Sequence, residues 1–127
     1  HGCEVTLVGS PRLAALTEAA LNGDSVSDVD IAAEIAPCFV DGEARTDTVV
    51  LACTHYPLLL DRLERLAPWP VEWIDPAPAI ARRVSTLLGP ESGSLPPAGD
   101  PRLIFTSGRR HPAAEALVHS FADEVAA

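Results

Sequence analysis

The chain has 127 residues, of which 47% are hydrophobic, and carries a formal net charge of -9 at pH 7. This length corresponds to about one domain. The acidic balance argues against nucleic acid or an anionic membrane surface as a partner, because both attract basic proteins. No apolar stretch approaches the roughly 20 residues of a membrane helix. Three cysteines without a close pairing pattern favour a reduced, cytoplasmic location over a disulfide framework.

Strand-like apolar runs alternate with helical periodicity along the chain, which predicts an α/β fold: a mostly parallel sheet covered by helices in three layers. The first predicted strand covers residues 4–8. A helix follows, with Ser10 as its N-cap, Pro11 at its first position and Gly23 at its end.

A second helix is predicted over residues 28–40, with Ile31, Ile35 and Phe39 on its buried face. Pro37 falls inside this helix and should kink or shorten it. The clearest strand covers residues 48–52. The remaining predicted elements, in order, are a helix from Pro57 to the residue before Pro68, a strand over 71–74, a helix from Pro76 or Pro78 to Gly89, a connection over 90–101, a strand over 102–106 and a helix over 112–125.

The strand at 48–52 is followed by a strand-to-helix turn that carries four functional side chains in succession: Cys53, Thr54, His55 and Tyr56. Ligands of open α/β sheets bind at the carboxyl ends of the strands. A thiol acts as a base or nucleophile in its thiolate form, which a helix N-terminus and a neighbouring imidazole both favour. The N–H groups of the helix that opens at Pro57, and the Thr54 hydroxyl, would suit a substrate carboxylate. The alternative is that Cys53 is a small buried core residue and His55 a structural one.

Residues 52–59, Ala-Cys-Thr-His-Tyr-Pro-Leu-Leu, resemble the second cysteine motif of glutamate racemases, in the aspartate/glutamate racemase family. Ala52 replaces the glycine that is usual there. Aspartate racemases typically have Glu where His55 stands, so the resemblance favours glutamate as the substrate. Residues 11–18 resemble the helix that brings a glutamate toward the active-site histidine, which assigns that role to Glu18.

The resemblance implies a cofactor-independent conversion of L-glutamate to D-glutamate for peptidoglycan synthesis, with neither pyridoxal phosphate nor metal. Two cysteines on opposite faces of the substrate act as acid and base. By resemblance Cys53 is one of them, His55 and Glu18 assist it, and Thr54 and His55 contact the substrate. A homodimer is one assembly that the resemblance leaves open.

The other cysteine motif of the family, Cys-Asn-Thr, does not occur in this chain, and neither Cys3 nor Cys38 has its surroundings. We therefore expect the chain to be the carboxyl-terminal portion of a longer protein and to be inactive alone. By analogy, residues 1–74 belong to the second lobe and residues 75–127 return to the first. Such a portion is expected to expose apolar sheet surface and to associate.

Three other interpretations remain open. A cysteine hydrolase would use Cys53 and His55, although residues two apart seldom reach the required geometry and no nucleophile elbow is present. A zinc module would use Cys3, Cys38, Cys53 and His55, although their spacing fits no common ligand pattern. Finally, the chain could be a catalytically silent racemase-like domain or an interaction domain, or act on another amino acid such as aspartate.

Overall fold

The computed structural model describes residues 2–89, 103–106, 108, 110 and 112–126. The chain forms two compact units, His1–Ile80 and Ala81–Ala127. The elements in chain order are α1 (Leu13–Leu21), α2 (Asp28–Ile35), a 3-10 turn (Ala36–Cys38), β1 (Thr48–Val50), a second 3-10 turn (Tyr56–Leu59), α3 (Leu60–Leu66), β2 (Glu72–Ile74), α4 (Ala77–Leu88) and α5 (Pro112–Ala126).

The two strands form a parallel pair in which Val49 faces Trp73 across the ladder. The Leu51 N–H continues the pairing beyond β1 by donating to the Ile74 carbonyl at 2.9 Å. Parallel strands need a crossover connection, and α3 supplies it. Both predicted strands in this region are therefore present, each slightly shorter than expected.

The core of the first unit lies where α1, α2, α3 and the strand ends meet. Ile31 of α2 and Leu63 of α3 are fully buried at its centre. Thr17, the one buried polar side chain among the described residues, donates its hydroxyl to the Leu13 carbonyl at 2.8 Å and so leaves no unpaired group. The buried apolar members of this core are Leu13, Ile31, Ile35, Leu51, Leu59 and Leu63.

An aromatic cluster covers one side of this core. Phe39 meets Trp69 edge to face at 5.3 Å between ring centroids and Trp73 at 6.3 Å. The Trp69 indole N–H donates to the Thr46 carbonyl at 2.9 Å, and the Arg45 guanidinium lies 4.1 Å from the Trp69 ring. The cluster therefore joins the segment after α2 to the start of β2.

The predicted strand over residues 4–8 is absent. This segment pairs with neither β1 nor β2, and Val5 and Leu7 are 71% and 92% exposed. β-propensity depends on a sheet to pack against, and the described part of the chain gives this segment none. The predicted strand over 102–106 is also not formed at residues 103–106, and Arg102 lies outside the described residues.

The start of α1 differs from the prediction, whereas its end agrees. Arg12 occupies the N-cap position, and Ser10 instead accepts the Leu13 N–H at 3.1 Å from outside the helix. At the other end, Gly23 has a φ of +85°, and the Asp24 N–H reaches back to the Ala19 carbonyl at 2.9 Å. This left-handed closure is the one that glycine favours.

The predicted helix over 28–40 is wrong beyond Ile35. The Ser27 hydroxyl caps α2 by accepting the Val29 N–H at 3.2 Å, and the helix gives way to the 3-10 turn that contains Pro37. Proline lacks the N–H that would continue the helix, and its ring clashes with the preceding turn. Pro57 likewise opens a 3-10 turn before α3 begins.

The later helices agree with the sequence. The Asp75 carboxylate accepts the Ala77 N–H at 2.9 Å at the start of α4, and Gly89 follows its end. In α5, Glu115 pairs with Arg110 at 2.8 Å. The predicted connection over 90–101 lies outside the described residues. Among those that are described, no helix combines the length and the apolar character needed to cross a bilayer.

Candidate active site

The turn between β1 and α3 is held by its own backbone. The Tyr56 N–H donates to the Cys53 carbonyl at 3.3 Å, and the Leu58 N–H donates to the His55 carbonyl at 3.0 Å. Leu51, two residues before Cys53, is buried in the core and fixes the chain where it enters the turn. The tight turn leaves Thr54 exposed and Cys53 and His55 half-buried at the carboxyl end of β1.

Three side chains predicted to form the site lie in a row. The Cys53 Sγ is 3.7 Å from the His55 Nδ1, and the His55 Nε2 is 2.9 Å from the Glu18 Oε1. Glu18 comes from α1, 37 residues earlier in the chain. The His55 and Glu18 side chains are 36% and 61% exposed, so the row opens to solvent.

These partners fix the roles of the two His55 nitrogens. A carboxylate can only accept hydrogen bonds, so the nitrogen facing Glu18 carries the proton. In the neutral ring Nδ1 is therefore an acceptor, and it faces the Cys53 thiol and the Thr54 hydroxyl, the latter at 3.5 Å. His55 can thus accept the Cys53 proton, and the Glu18 carboxylate would stabilise the imidazolium that results.

A second hydrogen-bond network, which the sequence did not predict, lies behind the turn. The Ser10 hydroxyl donates to the Glu34 Oε2 at 2.6 Å, and Arg12 donates to Glu34 through both its backbone N–H, at 3.2 Å, and its Nε, at 2.9 Å. Arg12 also reaches Asp30 at 3.0 Å. The Ser10 hydroxyl and then Arg12 hold the pKa of Glu34 below its usual value. Contacts between residues 22 and 24 positions apart leave no local sequence pattern, so no signal pointed to them.

Tyr56 follows the three site residues on the turn. Its ring packs against the core, and burial is the main cause that raises the pKa of its hydroxyl, followed by the nearby Cys53. The Ser10 hydroxyl acts in the opposite direction on the Tyr56 pKa.

Among the described residues, no hydrogen bond joins either of the other two cysteines to this row. Cys38 is half-buried, and burial raises the pKa of its thiol, whereas Cys3 is exposed. Within the described ranges, no three His, Cys, Asp or Glu side chains are grouped closely enough to hold a metal ion, so the zinc interpretation has no support there. Cys53 and His55 are in contact although they are two residues apart, and a hydrolase would also need this contact.

Two open surface depressions lie at the opposite end of the strands. The larger, about 490 Å³, is lined by residues that include Arg45, Asp47, Trp69 and Glu72, and the smaller, about 360 Å³, adjoins it around Trp69. Both lie at the amino ends of β1 and β2, away from Cys53.

The known proteins that resemble this chain in sequence and in structure share one name, although no family model matches the chain. The glutamate racemase of Rhizobium meliloti (strain 1021) is 52% identical over 120 residues, which cover 94% of this chain and 43% of that protein. The glutamate racemase of Brucella ovis (strain ATCC 25840 / 63/290 / NCTC 10512) is 59% identical over 87 residues, 68% of this chain and 31% of that protein. The chain thus spans less than half the length of these curated relatives.

A solved structure extends the similarity to three dimensions. The crystal structure of Escherichia coli glutamate racemase in complex with L-glutamate and the activator UDP-MurNAc-Ala matches with a TM-score of 0.58 and 38% identity. The match covers 68% of this chain and 32% of that one.

Proposed function

Since the chain belongs to the glutamate racemase family, we propose that it acts within a longer polypeptide that interconverts L- and D-glutamate. Membership confirms the resemblance seen in the sequence and the incomplete α/β fold of the aspartate/glutamate racemase type. We further propose that the reaction uses no cofactor, takes place in the cytoplasm and supplies D-glutamate for peptidoglycan.

The row of Cys53, His55 and Glu18 is the observation that carries this proposal. The α-proton of an amino acid is very weakly acidic, so its removal needs a positioned base and stabilisation of the developing charge. Cys53, once it has passed its proton to His55, is that base on one face of the substrate. We propose that the Thr54 hydroxyl, 3.5 Å from the His55 Nδ1, binds the substrate carboxylate.

Inversion also requires a proton donor on the other face of the α-carbon. Among the described residues, neither Cys3 nor Cys38 reaches the row, so we propose that a second cysteine lies in another part of the longer polypeptide. In this arrangement residues 1–74 belong to one lobe and residues 75–127 to the other. The division between the compact units after Ile80 supports a boundary in this region.

The partner of the site is proposed to be glutamate rather than nucleic acid, and the longer polypeptide is proposed to form a homodimer. An acidic chain can bind an anionic substrate, because a few local donors decide the binding rather than the net charge of -9. The similar Escherichia coli enzyme was crystallised in complex with L-glutamate, which supports the choice of substrate.

The test is racemisation of L-glutamate in D₂O by the longer polypeptide, with and without Cys53→Ser. We expect D-glutamate that carries solvent deuterium at the α-carbon, and a loss of at least about a hundredfold in rate on Cys53→Ser, because a general base is removed. Cys38→Ser is the matched control, since it removes a half-buried thiol that does not touch His55.

The proposal fails if the longer polypeptide forms no D-glutamate, or if Cys53→Ser racemises as fast as Cys38→Ser. A covalent acyl-enzyme trapped at Cys53 would support the hydrolase instead. The chain of 127 residues on its own is expected to form no D-glutamate from L-glutamate, and measurable D-glutamate would show that the second proton donor lies within it.

A further inference from the structure

A carboxylate from α2 serves as the cap at the start of α1. Arg12, the N-cap residue of α1, makes no capping bond with its own side chain. Instead the Glu34 Oε2 accepts the Arg12 backbone N–H at 3.2 Å and the Ser10 hydroxyl at 2.6 Å. The Ser10 oxygen in turn accepts the Leu13 N–H, the first of the helix, at 3.1 Å. Amide groups at the start of α1, which the helix itself cannot pair, are thus satisfied through a residue of another helix.

The position of Glu34 in its own helix does not explain why a charge lies there. It is the penultimate residue of α2, where a negative charge opposes the helix dipole, and the last turn of α2 has no basic residue to offset it. The side chain is nevertheless only 10% exposed, and its Oε1 also accepts the Arg12 Nε at 2.9 Å. A negative charge is favourable at the start of a helix. The bonds to the start of α1 therefore account for this carboxylate.

The same helix carries Glu18 to His55. α1 has 9 residues, so contacts with the rest of the chain decide where it lies. Leu13 and Thr17 are buried on one face of it, but apolar burial is non-directional and defines the position of a helix only loosely. The hydrogen bonds to Glu34 are directional. They fix the start of α1 within about two turns of Glu18.

The bond between Glu18 and His55 needs a helix that is held in this way, because the bond is exposed. The two side chains are 61% and 36% exposed. An exposed charged pair gains little from its attraction, and that gain must offset the entropy lost when long side chains are held in one geometry. A shift of α1 by about 1 Å away from the turn would take the 2.9 Å contact beyond hydrogen-bond range.

We propose that Glu34 is a positioning residue: by holding the start of α1, it keeps the Glu18 carboxylate against the His55 Nε2. Ser10 and Arg12 are the residues through which Glu34 holds the helix. The proton acceptor of the site is thus set by two carboxylates, one in contact with it and one acting through α1. The consequence for catalysis rests on the proposed function, whereas the effect on the Cys53 thiol can be measured without it.

The experiment measures how fast iodoacetamide alkylates Cys53 at neutral pH. Cys3→Ser and Cys38→Ser in the parent chain leave Cys53 as its only thiol. Iodoacetamide reacts with the thiolate, which forms when the thiol proton passes to the imidazole. Glu34→Gln should slow alkylation about threefold, the order of effect expected when an exposed charged pair is lost. An amide cannot accept from all three donors that Glu34 now pairs, so α1 would no longer be held.

A double-mutant cycle shows whether Glu34 acts through Glu18. Glu18→Ala in the parent chain should also slow alkylation about threefold. In the Glu34→Gln chain, by contrast, Glu18→Ala should leave the rate nearly unchanged, because the bond that it removes is already lost. Asp28→Asn is the matched control in α2. It removes the charge from the Arg62–Asp28 ion pair, which joins α2 to α3 rather than to α1, and should not change the rate.

A Glu34→Gln chain that is alkylated at the parental rate, with far-UV circular dichroism that matches the parent, would overturn the inference. The same slowing by Glu18→Ala with and without Glu34→Gln would also overturn it, since Glu34 would then act by another route. Equal slowing by Asp28→Asn would reduce the effect to one of stability. Should Glu34→Gln not fold, Ser10→Ala, which removes one of the bonds to Glu34, takes its place in the cycle.

Alkylation needs no substrate, so these results stand whether or not the longer polypeptide racemises glutamate. In an active longer polypeptide, Glu34→Gln is expected to lower kcat about threefold and to leave KM unchanged, in line with the alkylation rate.

Discussion

At the scale of single residues, His55 is the side chain on which the site depends. One of its nitrogens is held by a carboxylate from another element, at 2.9 Å, and this leaves the other as an acceptor for the thiol. A histidine without such a partner would populate both tautomers, and only one of them could accept the Cys53 proton. Glu18, although largely exposed, therefore determines that the unprotonated nitrogen of the neutral His55 ring faces the Cys53 thiol.

The tautomer of His55 can be observed directly. We expect the neutral ring to carry its proton on Nε2, the nitrogen that faces Glu18. Two-dimensional ¹H–¹⁵N NMR of the imidazole reports this. Glu18→Ala should give a mixture of tautomers, whereas Glu64→Ala, on an exposed position of α3, should not change the spectrum. A parent ring protonated on Nδ1 would contradict the assignment.

Glu34 makes the stability of the chain depend on acid. The Ser10 hydroxyl and Arg12 lower its pKa in the folded chain, so the folded state favours the ionised carboxylate. The stabilisation is present above the unfolded pKa, ordinarily about 4.3, and is lost as the pH falls through the lower folded value. The urea midpoint of the parent should therefore decline across this acidic window more steeply than that of Glu34→Gln. Parallel curves would contradict the prediction.

At the scale of elements, the helices of the first unit are too short to be stable alone. α2 has 8 residues and α3 has 7, whereas an isolated helix of fewer than about 12 residues is marginal in water. Their stability comes from packing, and Ile31 and Leu63 are fully buried where the two helices meet. The 3-10 turn that follows Cys53 packs in turn against α1 and α3.

Shortening one buried side chain measures how much this packing contributes. Ile31→Val should lower the free energy of unfolding by about 0.5–1.5 kcal/mol, through the lost methylene and the cavity that it leaves. Val29→Ala, on the exposed face of the same helix, should change it by less than about 0.5 kcal/mol. Urea unfolding followed by circular dichroism compares the two. Equal effects would show that α2 does not depend on its buried face.

The sequence predicted those structural features that depend on one residue or its immediate neighbours, and it did not predict those that depend on contacts between distant residues. The Gly23 stop and the Pro37 interruption follow from backbone constraints that each residue carries with it. Cys53 and His55 could be placed on one turn in the same way, because the strand before them and Pro57 after them mark where the turn begins and ends. The strand over 4–8 was predicted from propensity alone and failed for lack of a neighbouring strand. The Glu34 network joins distant positions, so only the folded chain shows it.

At the scale of the whole molecule, the described residues leave several large apolar side chains in solvent. Val5, Leu7 and Ile104 are among the most exposed, and Val50 and Ile74 of the two strands are also exposed. Large apolar side chains that stay exposed promote association. The chain spans less than half the length of its curated relatives, and such surface is what a partial α/β fold is expected to show.

This surface predicts that the chain associates in a concentration-dependent way. The paired substitution Val5→Lys and Leu7→Lys should shift the sedimentation profile toward the monomer, because two charges replace the two most exposed apolar side chains of the unpaired segment at 4–8. Val29→Lys, an exposed position on α2, is the control and should have a smaller effect. A parent chain that sediments as a monomer at all concentrations would contradict the prediction.

The aromatic cluster of Phe39, Trp69 and Trp73 has a practical consequence for following the folding of this chain. Both tryptophans of the sequence belong to this one cluster, and residues 81–127 contain none. Intrinsic fluorescence therefore reports on the first compact unit alone, whereas far-UV ellipticity also includes α4 and α5. Denaturation curves recorded by the two signals will coincide if the units unfold as one cooperative body, and will separate if each unfolds independently.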